Sequence, residues 1–587
     1  MSDELLEDLL IFSPFHSPHT TYHIPYTTMD KVCAQCSASF EITNEDLAFY
    51  EKVSPTFGGK KYLIPPPTLC PDCRQQRRLS WRNERSLCKR TCDLCGKETV
   101  SIYHLPTPFP VYCNECWWGE GWDALSFGRD FDFSKPFFEQ FNALQHAVPR
   151  NALYRKNAVN SDFCNHSDGL KDCYMDVCVA GSEKVFYSKW IIDSHSICDS
   201  YQMVESTQCY ECSYSDWNSN CSFVKHSNNC RDSHFLFDCD GCHHCFQCWN
   251  LRHREYCIRN EPVSPDAYAK HAQDILGSYG KMQKAWTDFQ RLVEEKAIHR
   301  DQRLTQCEDC SGNLMMQCKN VHDSYDIMNS QDCRYCYDCE GMKDCYDAYE
   351  PAFNCELQYE SHACNRGVHT LFAHVSYDVN DVTYVDSCHN SSDLLGCVAL
   401  RHKKYCIFNK QYIKEEYTVL AAKIIEKMQA TGEWGEFFPS HLSFFAYNDS
   451  TAEEFFPLGE KEVLRRNWQW REVRDEVPKV KKIIPAEKLP DSIDDIPDDI
   501  LNWAIECEAT GRPFRIIKQE LDLYRTMRLP IPHFHPDERH RRRMALRNPR
   551  KLWQRKCAKC GKEIQTTYAP ERPEIVYCEQ CYLAEVY

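Results

Sequence analysis

The stretch CSYSDWNSNCSFVKHSNNCRDSHFLFDCDGCHHCFQCWNLRHREYC, residues 212–257, repeats a cysteine at every ninth position. Short β-type pieces such as HFLFDC alternate here with Ser, Asn, Asp and Gly, and similar phrases return every 22–24 residues near positions 183, 207, 230 and 253. A unit repeated at that period predicts a solenoid, in which each repeat buries its inner face by stacking on the next. Cysteine suits a narrow interior because a buried thiol behaves as a compact hydrophobic group.

The cysteine-rich region is duplicated along the chain. CWNLRHREYCIRNEPVSPDAY (248–268) aligns with CVALRHKKYCIFNKQYIKEEY (397–417) at a constant shift of 149 residues. We therefore expect a mainly β protein with helices, built around a β-helix-like solenoid in two halves. Each half leads into a predicted helix. The first begins at the N-cap Ser264 and runs to about residue 298, and the second runs from about 413 to 430 and stops at Gly432.

Four cysteines and two histidines in CDGCHHCFQCW (239–249) resemble a metal cluster. The duplication argues against that interpretation, because Cys242 and Cys245 correspond to Ser391 and Leu394 in the second half, and leucine cannot bind a metal. The cluster also differs from the bacterial iron–sulfur pattern in its last spacing and its ending. We interpret it as structural, while a metal site confined to the first half stays open for Cys239, Cys242, Cys245 and Cys248.

The cysteine content and the N-terminus together predict the compartment. The chain has 587 residues and 39 cysteines, which indicates either disulfides in a secreted protein or thiols and metal sites in a reducing compartment. The N-terminus, MSDELLEDLLIFSPF, is acidic and lacks the basic start and apolar core of a signal peptide. No apolar run approaches the ~18 residues of a membrane span. We therefore expect a cytoplasmic protein that does not enter a membrane.

Pairs of cysteines separated by two residues lie at both ends of the chain. Two such pairs suit one tetrahedral zinc ion, because each short spacing lets a tight turn aim both sulfurs at the metal. The C-terminal stretch CAKCGKEIQTTYAPERPEIVYCEQC repeats CDLCGKETVSIYHLPTPFPVYCNEC at a shift of 465 residues. The spacing predicts three closed, structural zinc sites, formed by Cys33, Cys36, Cys70 and Cys73, by Cys92, Cys95, Cys113 and Cys116, and by Cys557, Cys560, Cys578 and Cys581.

The same shift relates a fourth, degenerate site. IPPPTLCPDCRQQRRLSWRN (64–83) aligns with LPIPHFHPDERHRRRMALRN (529–548), so that histidine and glutamate replace the second cysteine pair of the first site. The C-terminal module is thus a copy that kept its second zinc site and lost most of its first. Packing is favoured over metal there, but a remnant site stays open at Cys507, His535 and Glu538.

Two basic segments stand out on an acidic chain. The net charge is −17, while residues 74–90 carry +6 and residues 539–556 carry +9, so the remaining residues carry −32. In both segments arginines recur at i, i+3, i+4 and i+8, which places them on one helical face, interleaved with tryptophan. Such a face predicts contact with RNA, including ribosomal RNA. The alternatives are a solvated face, or a face that docks on the acidic body of the same chain. The arginines are Arg74, Arg77, Arg78, Arg82, Arg539, Arg542, Arg543 and Arg547.

Two family resemblances follow from these motifs. VCAQCSASFEITNEDLAFYEKV together with PPPTLCPDCRQQRR resembles the zinc-ribbon (treble-clef-like) domain of many small bacterial proteins, which implies zinc on the first four cysteines. YCNECWWGEGWDALSFGRDFDFSKPFFEQF, GEFFPSHLSFFAYNDS and RPEIVYCEQCYLAEVY resemble a family of large Cys-rich zinc-ribbon proteins from candidate-phyla-type bacteria. That family implies no activity. The CoA-transferase-like name of some members finds no support, because the sequence has no nucleotide-binding glycine loop.

These motifs predict a non-enzymatic, zinc-binding scaffold or binding protein, and no catalytic residue is assigned. The partner would be RNA, the ribosome or another protein, and the two end modules can also pair within the chain. The alternatives are an enzyme with its active site in a solenoid groove, or a thiol-based metal or redox buffer. The predicted domains are a tail (1–30), a double zinc-ribbon module (31–125), a helical connector (126–160), the first solenoid half (161–260), a linking helix (261–305), the second half (306–410), a helix (411–432), an acidic linker (433–500) and the degenerate zinc module (501–587).

Overall fold

The computed structural model describes residues 28–350, 353–472 and 478–587. Most of the predicted tail (1–30), and with it the acidic N-terminus, lies outside these ranges. The expectation of a mainly β chain with helices is confirmed. Among the helices of the described ranges, none combines the length and apolar character that crossing a membrane requires.

Most strands belong to two β bodies, which correspond to the two cysteine-rich halves. The first β body (155–262) contains Arg155–Val159, Ser167–Lys171, Val177–Ala180, Glu183–Phe186, Lys189–Ile192, His195–Cys198, Tyr201–Val204, Thr207–Tyr210, Ser219–Lys225, His234–Phe237, His243–Trp249, Glu255–Ile258 and Glu261–Pro262. The second β body (304–411) contains Leu304–Thr305, Glu308–Met316, Lys319–Met328, Gln331–Arg334, Tyr337–Glu340, Met342–Tyr349, Cys355–His362, Val368–His374, Tyr377–Asp386, His389–Val398, Lys404–Ile407 and Lys410–Gln411.

Within each β body the strands pair in parallel with a twelve-residue register. Val179 pairs with Ile191, and Ile191 pairs in turn with Met203. Among the described strands of the two bodies, the short closing hairpins alone are antiparallel. The sequence period of 22–24 residues was therefore wrong as the length of one repeat, because it spans about two repeats of twelve.

The backbone turns at every third residue of the first β body. From Asn157 to Arg259 each third residue has a positive φ, and in the first β body the residue after each turn is buried from Ser161 to Cys248. Four turns per repeat therefore leave four inward-facing side chains. A residue outside glycine, Asn and Asp adopts positive φ at a cost, so the regular pairing must hold these turns in place.

Inward-facing serines hydrogen-bond backbone groups of two successive repeats. The Ser194 hydroxyl donates to the Ile192 carbonyl at 2.8 Å and accepts the Ser206 N–H at 3.1 Å. The Ser182 hydroxyl makes the same pair of contacts one repeat earlier. Each such serine satisfies buried polar groups that would otherwise be costly to leave unpaired.

Inward-facing cysteines explain the nine-residue spacing. The Cys212 thiol lies 3.4 Å from the Tyr210 carbonyl and 3.7 Å from the carbonyl of Cys221, nine residues on. Nine residues are three inward positions, so cysteines at this spacing all face the interior. The interior tolerates them because they are small and apolar.

The second β body also has a turn at every third residue and a twelve-residue register, except at two places where the register changes by one residue. Glu308 pairs with Lys319, eleven residues on, and Met342 pairs with Cys355, thirteen residues on. Each change moves the buried position by one residue in the sequence. The side chains of Cys333, Cys336 and Cys339 then occupy successive inward positions.

The remaining elements form the end modules and the connections. The helices are Asn44–Val53, Pro71–Leu79, Asn114–Trp118, Phe137–Ala147, Pro265–Leu276, Tyr279–Lys296, Lys414–Thr431, Thr451–Phe455, Glu460–Arg465, Lys518–Met527, Pro536–Ala545 and Glu579–Val586. The remaining strands are Met29–Val32, Ser39–Ile42, Thr56–Phe57, Lys60–Lys61, Cys88–Thr91, Glu98–Ser101, Val111–Tyr112, Arg150–Asn151, Ile298–Arg300, Lys482–Pro485, Trp503–Glu506, Pro513–Phe514, Trp553–Lys556, Glu563–Thr566 and Ile575–Tyr577.

Two predictions about the connections need correction. The linking helix begins after its N-cap Ser264 as expected, but it breaks at Gly277, and Ser278 caps a second helix by accepting the Lys281 N–H. The helix Lys414–Thr431 does end at Gly432, which has φ 74°. The segment predicted as an acidic linker is packed in part, since Phe437 and Phe438 are buried in the core beside the second β body.

Each end module also pairs with a strand that precedes a β body. Val111–Tyr112 pairs in parallel with Arg150–Asn151, just before the first β body. Ile575–Tyr577 pairs in parallel with Ile298–Arg300, just before the second. The two pairings are equivalent under the duplication of the chain.

We expect Ser194→Ala to destabilise the first β body by about 1–3 kcal/mol, because the buried Ser206 N–H loses its acceptor. Urea unfolding followed by circular dichroism measures the effect. The control Thr207→Ala changes an exposed hydroxyl on the same body and should stay within about 0.5 kcal/mol of the parent protein. Equal unfolding midpoints for the two variants would contradict the serine contact.

Candidate metal centres and their docking contacts

Three groups of four cysteines lie close enough together to hold a metal ion. Within each group all ligand sulfurs lie within 4.8 Å of one another. The Sγ–Sγ distance is 3.7 Å for Cys36–Cys70. It is 3.8 Å both for Cys95–Cys113 and for Cys560–Cys578. The structure thus brings together all twelve predicted ligands: Cys33, Cys36, Cys70, Cys73, Cys92, Cys95, Cys113, Cys116, Cys557, Cys560, Cys578 and Cys581.

The first cysteine pair of each group lies on a tight turn. In the first group the Ser37 N–H donates to the Cys33 carbonyl at 2.9 Å, and Ser37 has φ 63°. Gly96 and Gly561 occupy the equivalent positions of the other groups, with φ 73° and 74°. Glycine adopts this left-handed conformation without steric cost, and serine adopts it at a small one.

The second cysteine pair of each group begins a helix. Cys70, Cys113 and Cys578 are the N-caps of Pro71–Leu79, Asn114–Trp118 and Glu579–Val586. The N-terminus of a helix favours negative charge, so this position stabilises a thiolate.

One thiol of each group is predisposed to ionise. The Cys73 thiol donates to Cys70 and lowers the pKa of Cys70 to about 5, although burial opposes this. For Cys92 and Cys557, burial acts against ionisation, but hydrogen bonds from backbone N–H groups outweigh it. The pKa of Cys92 is thereby lowered to about 7 and that of Cys557 to about 6. Thiolates are the form that binds metals.

The degenerate site keeps its turn and lacks converging ligands. The Gly511 N–H donates to the Cys507 carbonyl at 2.9 Å, as in the intact sites. The Glu538 carboxylate instead accepts hydrogen bonds from Arg541 and Arg542 at 2.7–2.8 Å. The ligand atoms of Cys507, His535 and Glu538 are not among the described groups that lie within 4.8 Å of one another. At this position the carboxylate of Glu538 is engaged in ion pairs with arginines of its own helix.

The four cysteines of residues 239–249 fill the four inward positions of one repeat. All four are at most 1 % exposed, and their sulfurs contact backbone carbonyls, for example Cys242 with Asp240 at 3.5 Å. Ser391 and Leu394 occupy the corresponding inward positions of the second β body, where both are buried. The cysteines and their replacements therefore share one packing role. The four thiols do not form one of the converging metal groups of the described chain.

The arginines of the first basic segment are buried against the second β body. Arg74 donates to Asp347 at 2.9 Å. Arg77 and Arg78 donate to the two oxygens of Glu360 at 2.7 and 2.9 Å. The first arginine helix, Pro71–Leu79, is therefore docked by charge-assisted hydrogen bonds.

The second arginine helix, Pro536–Ala545, makes equivalent contacts with the first β body. Arg539 and Arg543 both donate to Asp199, the latter at 2.7 Å, and Arg543 also lies 3.4 Å from Glu211. Beyond the helix, Arg547 pairs with Glu454 at 2.9 Å.

The duplication relates both sides of these contacts. Glu211 and Glu360 differ by the expected 149 residues, whereas Asp199 and Asp347 differ by 148. The reason is that thirteen residues separate Asp347 from Glu360, while twelve separate Asp199 from Glu211. All four carboxylates belong to residues with positive φ. The N-terminal helix thus docks on the second β body, and its C-terminal copy docks on the first.

The predicted RNA-binding face is accordingly not a free surface. Arg74, Arg77, Arg78, Arg82, Arg539 and Arg543 are buried, and the Arg547 side chain is 11 % exposed. The Arg542 side chain is 47 % exposed, yet it too bonds to Glu538. The helical-face prediction holds only in part, because Arg82 and Arg547 lie beyond the ends of their helices. The alternative destination fits the contacts, since the buried arginines dock on carboxylates of the same chain. The equivalence of Asp199 and Asp347 is not visible in the sequence at the constant shift of 149 residues, because the thirteen-residue register offsets the two aspartates by one position.

A further group of possible ligands lies where these parts meet. Glu84, Cys178 and Glu350 are buried with their ligand atoms within 4.8 Å of one another. The Arg82 guanidinium bonds to both glutamates, and Lys189 bonds to Glu84 at 2.5 Å. Two side-chain cations therefore already neutralise the carboxylates that a metal would need.

Comparison with known proteins does not assign the chain to a family. No family model matches the chain, and a search of curated proteins gives no match.

We expect Asp347→Asn to destabilise the docked N-terminal module by about 3–5 kcal/mol, because Arg74 and Arg78 lose the charge that balances them in a buried site. Asp199→Asn should have a similar effect on the C-terminal module. Urea midpoints and protease resistance measure both. The control Asp309→Asn changes an exposed carboxylate of the second β body. If Asp347→Asn behaves like this control, the buried pairing is not needed for docking.

Proposed function

We propose that this protein is a non-enzymatic, zinc-dependent scaffold, in which two zinc-folded end modules hold two β bodies together. The observation that carries the proposal is the crosswise docking of the two arginine helices on equivalent carboxylates. Each module also pairs with a strand that leads into a β body. Folding of the ends thereby determines how the whole body is assembled.

Zinc is the metal that fits the three four-cysteine groups best. A tetrahedral zinc ion with four sulfur ligands at about 2.3 Å requires sulfurs about 3.8 Å apart. The Sγ–Sγ distances of 3.7–3.8 Å match that value. When bound, the ion would contribute folding free energy, and four thiolates would leave no position for a reactive water.

We further propose that each β body is a short solenoid. The twelve-residue parallel register and the four inward positions per repeat support this. A solenoid is rigid along its length and offers an extended outer surface, as a scaffold requires.

The alternative of a thiol buffer is less well supported. Most interior cysteines are buried, and burial raises the pKa of Cys406 to about 11 and that of Cys364 to about 12. Thiols of this kind are protonated at neutral pH and closed to solvent, which disfavours metal binding and reduction chemistry. Hydrogen bonds from neighbouring thiols lower the pKa of Cys242 and Cys248, but these two are closed to solvent as well.

Metal analysis tests the zinc proposal. We expect three zinc ions per chain in the parent protein and two in Cys92→Ser, whose N-terminal module should also become sensitive to protease. The control Cys88→Ser changes a thiol of the same module that contacts the Tyr103 carbonyl and belongs to no four-cysteine group. Unchanged zinc content and protease resistance in Cys92→Ser would overturn the assignment, and many more than three zinc ions would favour storage.

We propose that the assembled scaffold binds another protein, with RNA or the ribosome as the alternative partner. An RNA partner would have to contact surfaces other than the seven arginines that are docked within the chain. Recovery of the protein from native cells, with and without ribonuclease, separates the classes. We expect a partner at constant stoichiometry that ribonuclease does not remove. Loss of the partner after ribonuclease would favour RNA, and recovery of the protein alone would contradict the scaffold.

A further inference from the structure

A cavity that is partly open to solvent lies where both β bodies and both end modules meet. Its volume is about 390 Å³, which is the size of small-molecule sites. Gln75 lines it from the first arginine helix, Tyr325 from the second β body, and Lys225 and His226 from the first. Arg550, beyond the second arginine helix, closes the remaining side.

The walls of this cavity carry polar atoms without partners. Gln75 Nε2, His226 Nδ1 and one terminal nitrogen each of Arg547 and Arg550 are buried and make no hydrogen bond in the described chain. Gln75 is 2 % exposed and the Arg550 side chain is 10 % exposed. Buried donors in proteins are usually hydrogen-bonded, so these donors are available to a ligand that enters the cavity.

The unsatisfied donors belong mainly to cationic side chains. Arg550 already pairs with Asp326 and Asp338, and Arg547 pairs with Glu454, and each keeps one nitrogen free. Lys225 donates only to the Leu546 carbonyl, at 2.6 Å, and has no carboxylate within 4.0 Å in the described ranges. Burial, together with Arg572 and Arg303, lowers the pKa of Lys225 to about 8. The carboxylates of Asp326 and Glu454 line the same cavity and balance the two arginines, so Lys225 is the cation that an anion would neutralise.

Aromatic side chains form the rest of the wall. Tyr214, Tyr325 and Phe455 line the cavity beside the cationic groups. Flat apolar walls next to a few converging donors are typical of sites for small organic ligands. A ligand that satisfies both features has a charged end and a flat body.

We propose that this cavity binds a small organic anion, whose phosphate or carboxylate is held by Lys225, Arg550 and Gln75. The aromatic wall would take the body of the same molecule. The site is assembled only when the end modules are docked, so the ligand would stabilise the assembled form. The proposal does not depend on the scaffold function, because zinc content and partner recovery are measured without any ligand.

Titration calorimetry with phenyl phosphate, phenylacetate and uncharged benzyl alcohol tests the proposal on the full-length, zinc-loaded protein. We expect at least one anion to bind at one site per chain, and benzyl alcohol to bind at least tenfold more weakly. The two anions distinguish a phosphate ligand from a carboxylate ligand. Failure of both anions to bind would mean that the cavity holds water only, and would overturn the proposal.

Two variants locate the binding. Gln75→Met removes a buried N–H that has no partner in the described chain and should leave folding intact. Lys225→Met removes a cation together with its hydrogen bond to the Leu546 carbonyl, so the unfolding midpoint of this variant is measured beside its affinity. Each is expected to reduce anion affinity about tenfold or more. The control Lys423→Met changes an exposed lysine of the helix Lys414–Thr431 and should leave affinity unchanged. Equal affinity in all three variants would place any bound anion elsewhere and would contradict the site.

Discussion

Buried pairing between an arginine helix and carboxylates on a β body is the interaction on which the assembly depends. A buried guanidinium is costly unless a carboxylate neutralises it, so each helix can dock only where such groups are displayed. The β bodies display them at their turns, since Asp199, Glu211, Asp347 and Glu360 all have positive φ. A positive φ at every third residue therefore has two effects. It directs the following side chain into the interior, and it places the docking carboxylates at the turns.

The first four-cysteine group and the docking arginines share one helix. In the N-terminal module Cys70 and Cys73 lie at the start of Pro71–Leu79, and Arg74 follows directly, so a metal bound there would fix the position from which the arginines reach their partners. The C-terminal copy has lost that metal site and keeps the helix Pro536–Ala545 by other means. His535 caps it by accepting the Asp537 N–H, and Glu538 pairs with the arginines of the next turn. The C-terminal helix thus makes the docking contact without a four-cysteine group of the described chain at its start.

Much of the candidate site could be predicted, because local spacing determines it. A spacing of two residues on a tight turn directs both sulfurs of a cysteine pair toward one point, so the sequence alone predicts the ligands. The duplicated arginine pattern likewise follows from the periodicity of a helix. The sequence did not reveal the twelve-residue repeat for two reasons. The cysteines recur every nine residues, which is three inward positions and not the four of a full repeat. The similar sequence segments recur every 22–24 residues, which is about two repeats. The destination of the arginines was hidden because their carboxylate partners are single residues, and the thirteen-residue register at Met342 and Cys355 offsets them by one position. The break at Gly277 was missed because the apolar pattern continues on both sides of it.

A double-mutant cycle on Arg74 and Asp347 tests the central claim most directly. The three variants are Arg74→Met, Asp347→Asn and the pair together, and the free energy of unfolding of the docked module is measured for each. If buried pairing holds the module in place, the coupling free energy should reach about 2–3 kcal/mol, and the double variant should be more stable than either single variant. A coupling below about 0.5 kcal/mol would mean that the two groups act independently, and would contradict the account.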